Sequence, residues 1–197
     1  MRLIITRHGE TVENKNKIMQ GHIPGVLSEL GIEQAKKVAE RLKDQNFDCI
    51  FSSDLARAAD TAKEIAKFHP DTNLDLTEDL RERYLGNLQG KKASQEFKGK
   101  KWDPKREKKY NVETSEQLFD RAKKLIGKIS EEHHGKKVLL VGHQGINTAL
   151  ITYLLGKPQD NMGELGSLKN TSITIFEFNE DKNPILKLMN CVKHLDE

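Results

Sequence analysis

An α/β fold, with a mostly parallel sheet and helices on both faces, follows from three features of these 197 residues. Short apolar runs such as Leu3-Ile4-Ile5 and Val138-Leu139-Leu140-Val141 have the length and β-branching of buried strands. Between the runs lie segments whose apolar residues recur at helical spacing. The alternation continues along the chain with no internal repeat and no interdomain linker. Strands that alternate with helices imply parallel neighbours joined by helical crossovers. The chain is therefore read as a single domain over 1–197, with a charged insertion at about 91–112.

The first run stops at Arg7-His8-Gly9-Glu10-Thr11, residues unsuited to a core. Ligands of α/β proteins sit outside the carboxyl ends of the strands, so this strand delivers a histidine to a site. The run over 138–141 repeats the pattern and ends at Gly142-His143-Gln144-Gly145. One histidine at a strand end is usually a satisfied structural residue. Two of them, each beside glycines, point to a shared site if their strands lie side by side.

The remaining elements follow in order. Residues 10–28 form a long polar loop with turn signals at Gly21 and Pro24-Gly25, a length that suggests function. Ser28 is placed to cap a helix whose apolar face is Ile32, Ala35, Val38, Ala39 and Leu42. Residues 48–51 read as a second buried strand, ending in the N-cap cluster Ser52-Ser53-Asp54. The helix expected over 55–68 carries Arg57 in its first turn. A helix N-terminus already favours anions, and an arginine there adds a fork for phosphate or carboxylate; a solvated helix arginine is the plainer alternative.

A third strand is expected at 73–76. Residues 80–90 are too glycine-rich for a helix and carry Glu82 between Arg81 and Arg83. The insertion gathers Lys98, Lys100, Lys101, Lys105, Arg106, Lys108 and Lys109 around Trp102. It reads as a solvated insertion, as a cationic lid over an anionic substrate, or as a nucleic-acid patch. Thr114 or Ser115 caps the next helix, whose face is Leu118, Phe119, Ala122, Leu125, Ile126 and Ile129. A helix over 146–155 follows the His143 strand. Residues 172–178 alternate strictly and read as an edge strand able to pair across a two-fold axis into a homodimer, and 185–189 read as a last strand.

Composition narrows the function. A net charge of +3 is too small to imply nucleic acid, and there is no apolar run of membrane-spanning length. The three apolar residues before Arg7 are too few for a signal peptide. Cys49 and Cys191 lack metal-type spacing, and a reducing, cytoplasmic setting is expected. Arg7, His8, Arg57 and His143 would form a cationic cup suited to a phosphoryl dianion. A metal is disfavoured there, because two arginines repel a cation. A neutral histidine can attack phosphorus, and Glu82 is the candidate acid for the leaving oxygen and base for water. From spacing alone, a surface glutamate is the plainer reading of Glu82.

Four strings resemble the motifs of the histidine phosphatase superfamily, the phosphoglycerate mutase-like proteins. They are Arg7-His8-Gly9-Glu10-Thr11 with Asn14; Phe51-Ser52-Ser53-Asp54-Leu55-Ala56-Arg57-Ala58 with Thr61; Leu80, Glu82, Gly86 and Gly90; and Val141-Gly142-His143 with Gly145. The resemblance implies a three-layer α/β/α sandwich around a mostly parallel mixed sheet. It implies His8 as the phosphorylated nucleophile, Arg7, Arg57 and His143 as phosphoryl ligands, and Glu82 as proton donor. Thr11, Asn14, Gly21 and Gly145 would line the substrate pocket, with no metal or organic cofactor. The Leu88-Gln89-Gly90 ending resembles the 2,3-bisphosphoglycerate-dependent mutases. Leu85 stands where those mutases have a tyrosine, and Glu113-Thr114-Ser115 with Arg121 is more similar to the phosphatase branches. The expectation is a phosphomonoesterase for a small phosphorylated metabolite, with a mutase as alternative and a non-catalytic phosphoprotein-binding scaffold as a third reading.

Overall fold

A computed structural model describes residues 1–93 and 102–196. Its centre is one six-stranded sheet. β1 (Arg2–Arg7), β2 (Cys49–Ser53), β3 (Leu74–Thr77), β4 (Lys137–Gly142), β5 (Ile173–Phe178) and β6 (Pro184–Cys191) lie in the order β3-β2-β4-β1-β5-β6. β1 pairs with β4, β4 with β2 and β2 with β3 in parallel. β5 is antiparallel to both of its neighbours, so it alone runs against the rest. The mixed, mostly parallel sheet is the expected one.

Helices cover both faces because the central strands are apolar on both sides. Leu3 and Ile5 of β1 pack with α5 (Ser115–Glu132) and α6 (Gln144–Leu154) through Leu125, Ile126 and Leu150. Ile4, the residue between them, faces α2 (Glu29–Leu42) and α3 (Ala56–Ala66) through Val38, Ala58 and Ala62. Period-two alternation in one strand thus feeds two separate cores. Two further helices are short: α1 (Val12–Lys15) and α4 (Pro104–Tyr110).

Helix ends follow local chemistry. Ser28 Oγ accepts from the Gly31 amide and starts α2. At α5 it is Thr114 that caps, exchanging bonds with Gln117 in a capping box. Before α3 the expected cap cluster does something else. The N-cap position is Leu55 and has no side-chain cap; Ser53 accepts from the Leu55 amide, and Asp54 is held by Arg81. An acid offered a bidentate guanidinium gains more there than at a helix end.

Three other expectations change. Ile32 lies on the exposed side of α2, where Gly31 takes the buried position. Residues 172–178 are not an edge, because β5 is paired on both sides within the chain; the edges are β3 and β6. The helix after β4 begins at Gln144, directly behind His143. As expected, the glycine-rich 80–90 segment has no α-helix: it follows a 3-10 turn at Glu78–Leu80 and contains another at Gly86–Leu88, and Gly86 takes φ +48 against the Tyr110 and Asn111 carbonyls, where a side chain has no room. Within the charged insertion, 102–112 is ordered as α4 and its flanks, while Lys98, Lys100 and Lys101 lie outside the described residues.

Candidate functional site

The β1–β4 register aligns Arg7 with Gly142, which places His8 and His143 as neighbours where both strands end. Their ring centroids are 5.0 Å apart and both side chains are buried. The His8 amide donates to the Gly142 carbonyl at 3.1 Å, and Asn170 Nδ2 donates to the His8 carbonyl at 2.9 Å. Gly9 continues the turn against the Gly31 carbonyl, close enough to exclude any side chain.

Hydrogen bonding fixes the ring atoms. His8 Nδ1 lies 2.6 Å from the Gly9 carbonyl, which can only accept, so Nδ1 carries the hydrogen and Nε2 keeps its lone pair. Arg57 Nε lies 3.1 Å from His143 Nδ1 and can only donate, so neutral His143 carries its hydrogen on Nε2. The pair is complementary: one histidine presents a lone pair, the other an N–H. Burial, and then the charges of Arg7 and Arg57, hold His8 well below the usual histidine range. Burial, followed by Arg57, His8 and Arg7, does the same for His143. Both rings are therefore neutral at physiological pH.

The arginines are held differently. Arg7 Nη1 donates to the Leu168 carbonyl at 2.6 Å. Arg57 is among the most deeply buried side chains, and burial pushes its guanidinium down to about 10. Besides His143 it donates to the carbonyls of Gly21 (2.9 Å), Ile23 (2.5 Å) and Pro24 (3.0 Å). In this arrangement Arg57 orients His143 and gathers the 21–24 loop, rather than presenting the open fork that its helix position suggests. Arg7 Nε and His143 Nε2 are buried without a hydrogen-bond partner among the described residues. Each such donor costs about 1–3 kcal/mol when left unpaired, and a tetrahedral oxyanion is the group that satisfies several at once.

Glu82 comes from the segment before the Gly86–Leu88 turn. Its carboxylate accepts from the Gly145 amide (2.8 and 3.2 Å) and from the Arg83 amide (2.7 Å). It therefore sits over the N-terminus of α6, one residue past His143 and its following Gln144, where the helix dipole favours an acid. Its charge is felt by both Arg7 and Arg57. Gly145 touches this carboxylate so closely that a side chain would collide with it.

The remaining expected site residues, Thr11, Asn14 and Gly21, lie in the segment between β1 and α2. Thr11 and Asn14 bond each other in the capping box of α1, and Thr11 Oγ1 also accepts from Gln20 Nε2 at 2.8 Å. Gly21, at φ +54, contributes its carbonyl to Arg57. Three participants have no part in the sequence reading, and a fourth, Gln144, stands there only as the neighbour of His143. His22 Nε2 is 2.8 Å from the Glu82 carbonyl. Asn147 supports the Thr6 carbonyl, Asn170 the His8 carbonyl, and Gln144 accepts from the Leu168 amide. The polar Gly166-Ser167 and Asn170-Thr171 stretch before β5 was the available signal for that supporting strap.

Comparison with known proteins agrees with this geometry. The chain belongs to the histidine phosphatase superfamily (branch 1), whose model matches residues 3–191. It is 31% identical to the metal-independent phosphoserine phosphatase of Arabidopsis thaliana, over 98% of this chain and 82% of that protein. It is 35% identical to a phosphoglycerate mutase of Schizosaccharomyces pombe, over 81% of this chain and 82% of that protein. The solved structure of mycobacterial glucosyl-3-phosphoglycerate phosphatase with VO3 superposes with a TM-score of 0.85 at 30% identity, covering 97% of this chain and 99% of that one.

Proposed function

We propose that this protein is a phosphomonoesterase that hydrolyses small phosphorylated molecules through a phosphohistidine at His8. The observation that carries the reading is the buried, neutral His8 ring with its Nδ1 hydrogen tied to the Gly9 carbonyl, which aims an Nε2 lone pair into the cationic cup.

The steps use this chain's own groups. The phosphomonoester binds as its monoanion and passes its proton to the Glu82 carboxylate; His8 Nε2 then attacks phosphorus while the ester P–O bond breaks, and Glu82 gives that proton to the departing alkoxide. Arg7, Arg57 and the His143 Nε2 hydrogen stabilise the charge on the equatorial oxygens. Glu82, now ionised, takes a proton from water; the water oxygen attacks phosphorus, the P–N bond breaks, and His8 regains its lone pair. Metal independence is in keeping with the Arabidopsis relative's name.

The test measures phosphate release and acid-labile, base-stable protein phosphorylation on a panel of phosphomonoesters. His8→Ala is expected to lose both. Full activity in that variant overturns the reading. The Schizosaccharomyces relative supports a second reading, a mutase that returns the phosphoryl group before water enters. It predicts conversion of 3-phosphoglycerate to 2-phosphoglycerate stimulated by 2,3-bisphosphoglycerate. Inorganic phosphate as the sole product sets it aside.

A further inference from the structure

The turn that carries His22 faces two ways. It is closed by the Ile23 amide, which donates to the Gln20 carbonyl at 3.0 Å, with Gly21 at φ +54. On one side the carbonyls of Gly21, Ile23 and, just beyond the turn, Pro24 accept from Arg57 of the phosphoryl cup. On the other, the His22 ring reaches the segment that carries the acid, with Nε2 2.8 Å from the Glu82 carbonyl. A carbonyl can only accept, so Nε2 carries the hydrogen and donates. Protonation of the ring adds a hydrogen at Nδ1 and leaves this donor in place.

The ring is seated on the same segment by further contacts. The His22 amide donates to Gln89 Oε1 at 2.6 Å, and the ring stands edge-on to Tyr84 with centroids 5.2 Å apart. From the opposite flank Arg121, paired with Glu113, donates to the Asp79 and Arg81 carbonyls at 2.8 Å each, and its Nη2 lies 3.4 Å from the Glu82 carbonyl. Arg121 thus ties the acid's segment to α5, whereas His22 ties it to the loop that Arg57 gathers. The difference matters chemically. In the function proposed above, the Glu82 carboxylate must meet the ester oxygen while phosphorus sits among Arg7, Arg57 and His143. The amides of Gly145 and Arg83 hold the carboxylate, and His22 holds the main chain behind it. A misplacement of about 1 Å can cost a positioned group about 10²-fold in rate.

We infer that His22 is a positioning residue for the acid. It locks the Glu82 backbone to the Arg57 loop, so that proton donor and phosphoryl cup keep one spacing. The inference rests on the reading of Glu82 as the acid.

The experiment measures kcat/KM for butyl phosphate, whose alkoxide needs a proton to leave, and for p-nitrophenyl phosphate, whose phenolate does not. His22→Phe keeps a flat ring beside Tyr84 and removes the donor. His22→Gln returns an amide N–H at nearly the same reach. His22→Phe is expected to lower the butyl-to-nitrophenyl ratio about tenfold or more, and His22→Gln to restore most of it. Loss of packing alone would slow both esters and spare the ratio. Both substrates are read on one sample, so a partly folded variant still reports the ratio, and His22→Leu takes the place of the phenylalanine variant if that one does not fold. An unchanged ratio without the donor, or a glutamine variant as impaired as the phenylalanine one, overturns the positioning role while the phosphatase reading stands. Equal slowing of both esters in Glu82→Gln removes the acid and the inference with it. Release from neither ester by the unaltered protein, with no phosphorylated His8, overturns the phosphatase reading as well.

Discussion

At the scale of single residues, the site works by fixing which nitrogen carries a hydrogen. Gly9 does this for His8, and Arg57 does it for His143. Sequence patterning could place both histidines at strand ends, since an apolar run that stops at a histidine is visible in the letters. It could not assign ring atoms, because those depend on a carbonyl one residue on and on an arginine 86 positions away. It also could not show that Arg57 faces the carbonyls of the 21–24 loop. Glu82 leads to a residue-scale prediction. If it protonates the leaving oxygen, Glu82→Gln will slow hydrolysis of alkyl phosphates by about 10²–10⁴-fold. It will slow p-nitrophenyl phosphate far less, because p-nitrophenolate departs without a proton. Equal losses on both substrates would remove Glu82 from the acid role.

At the scale of elements, the unexpected feature is how α4 is attached. Arg83, beside the acid, reaches Glu107 on α4, and Glu107 also accepts from the Ser115 amide and hydroxyl at the start of α5. One buried carboxylate thus ties three segments together behind Glu82. The basic residues around it in the sequence suggested a solvated insertion, a lid or a nucleic-acid patch, and gave no sign that a buried acid, Glu107, is an anchor. Removing that acid leaves Arg83 buried and uncompensated, which costs about 3–5 kcal/mol. Glu107→Ala is therefore expected to lower the urea midpoint strongly. Glu107→Leu combined with Arg83→Met should recover much of the loss. A double variant no more stable than the single one would show that the ion pair is not the source.

At the scale of the whole molecule, sheet order is what makes the site, and that order was only partly legible. The parallel β1–β4 pairing follows from two strands sharing one grammar. The strict alternation of 172–178 suggested one solvated face and an edge position, yet β5 is interior and buried in part on both sides, and β6 takes the edge. The histidines give the molecule a pH signature. Burial holds His8 and His143, and to a lesser degree His22 and His69, below the ordinary value of about 6.5 that they regain on unfolding. Between those limits the unfolded chain binds more protons, so stability rises with pH. It is complete above about pH 6.5 and is lost as pH falls through that value toward the native ones. Asp48 and Asp54, also held low, add their loss only below about pH 4. Urea unfolding at pH 7.5 and 5.0 should show the decline, and a His143→Gln variant should show less of it. An undiminished decline in that variant would assign the effect elsewhere.

The pairing of β1 with β4 has a consequence for how the molecule comes into being. During synthesis the first strand emerges more than a hundred residues before the partner that completes its register, and closing so long a loop delays the pairing. Until β4 arrives, the apolar edge of β1 is uncovered, and His8 has neither its neighbour His143 nor its backbone anchor at Gly142. No N-terminal piece ending before β4 can hold the two histidines together. Assembly of the two-histidine site is thus a late event in the life of the chain, acquired with the fold as a whole.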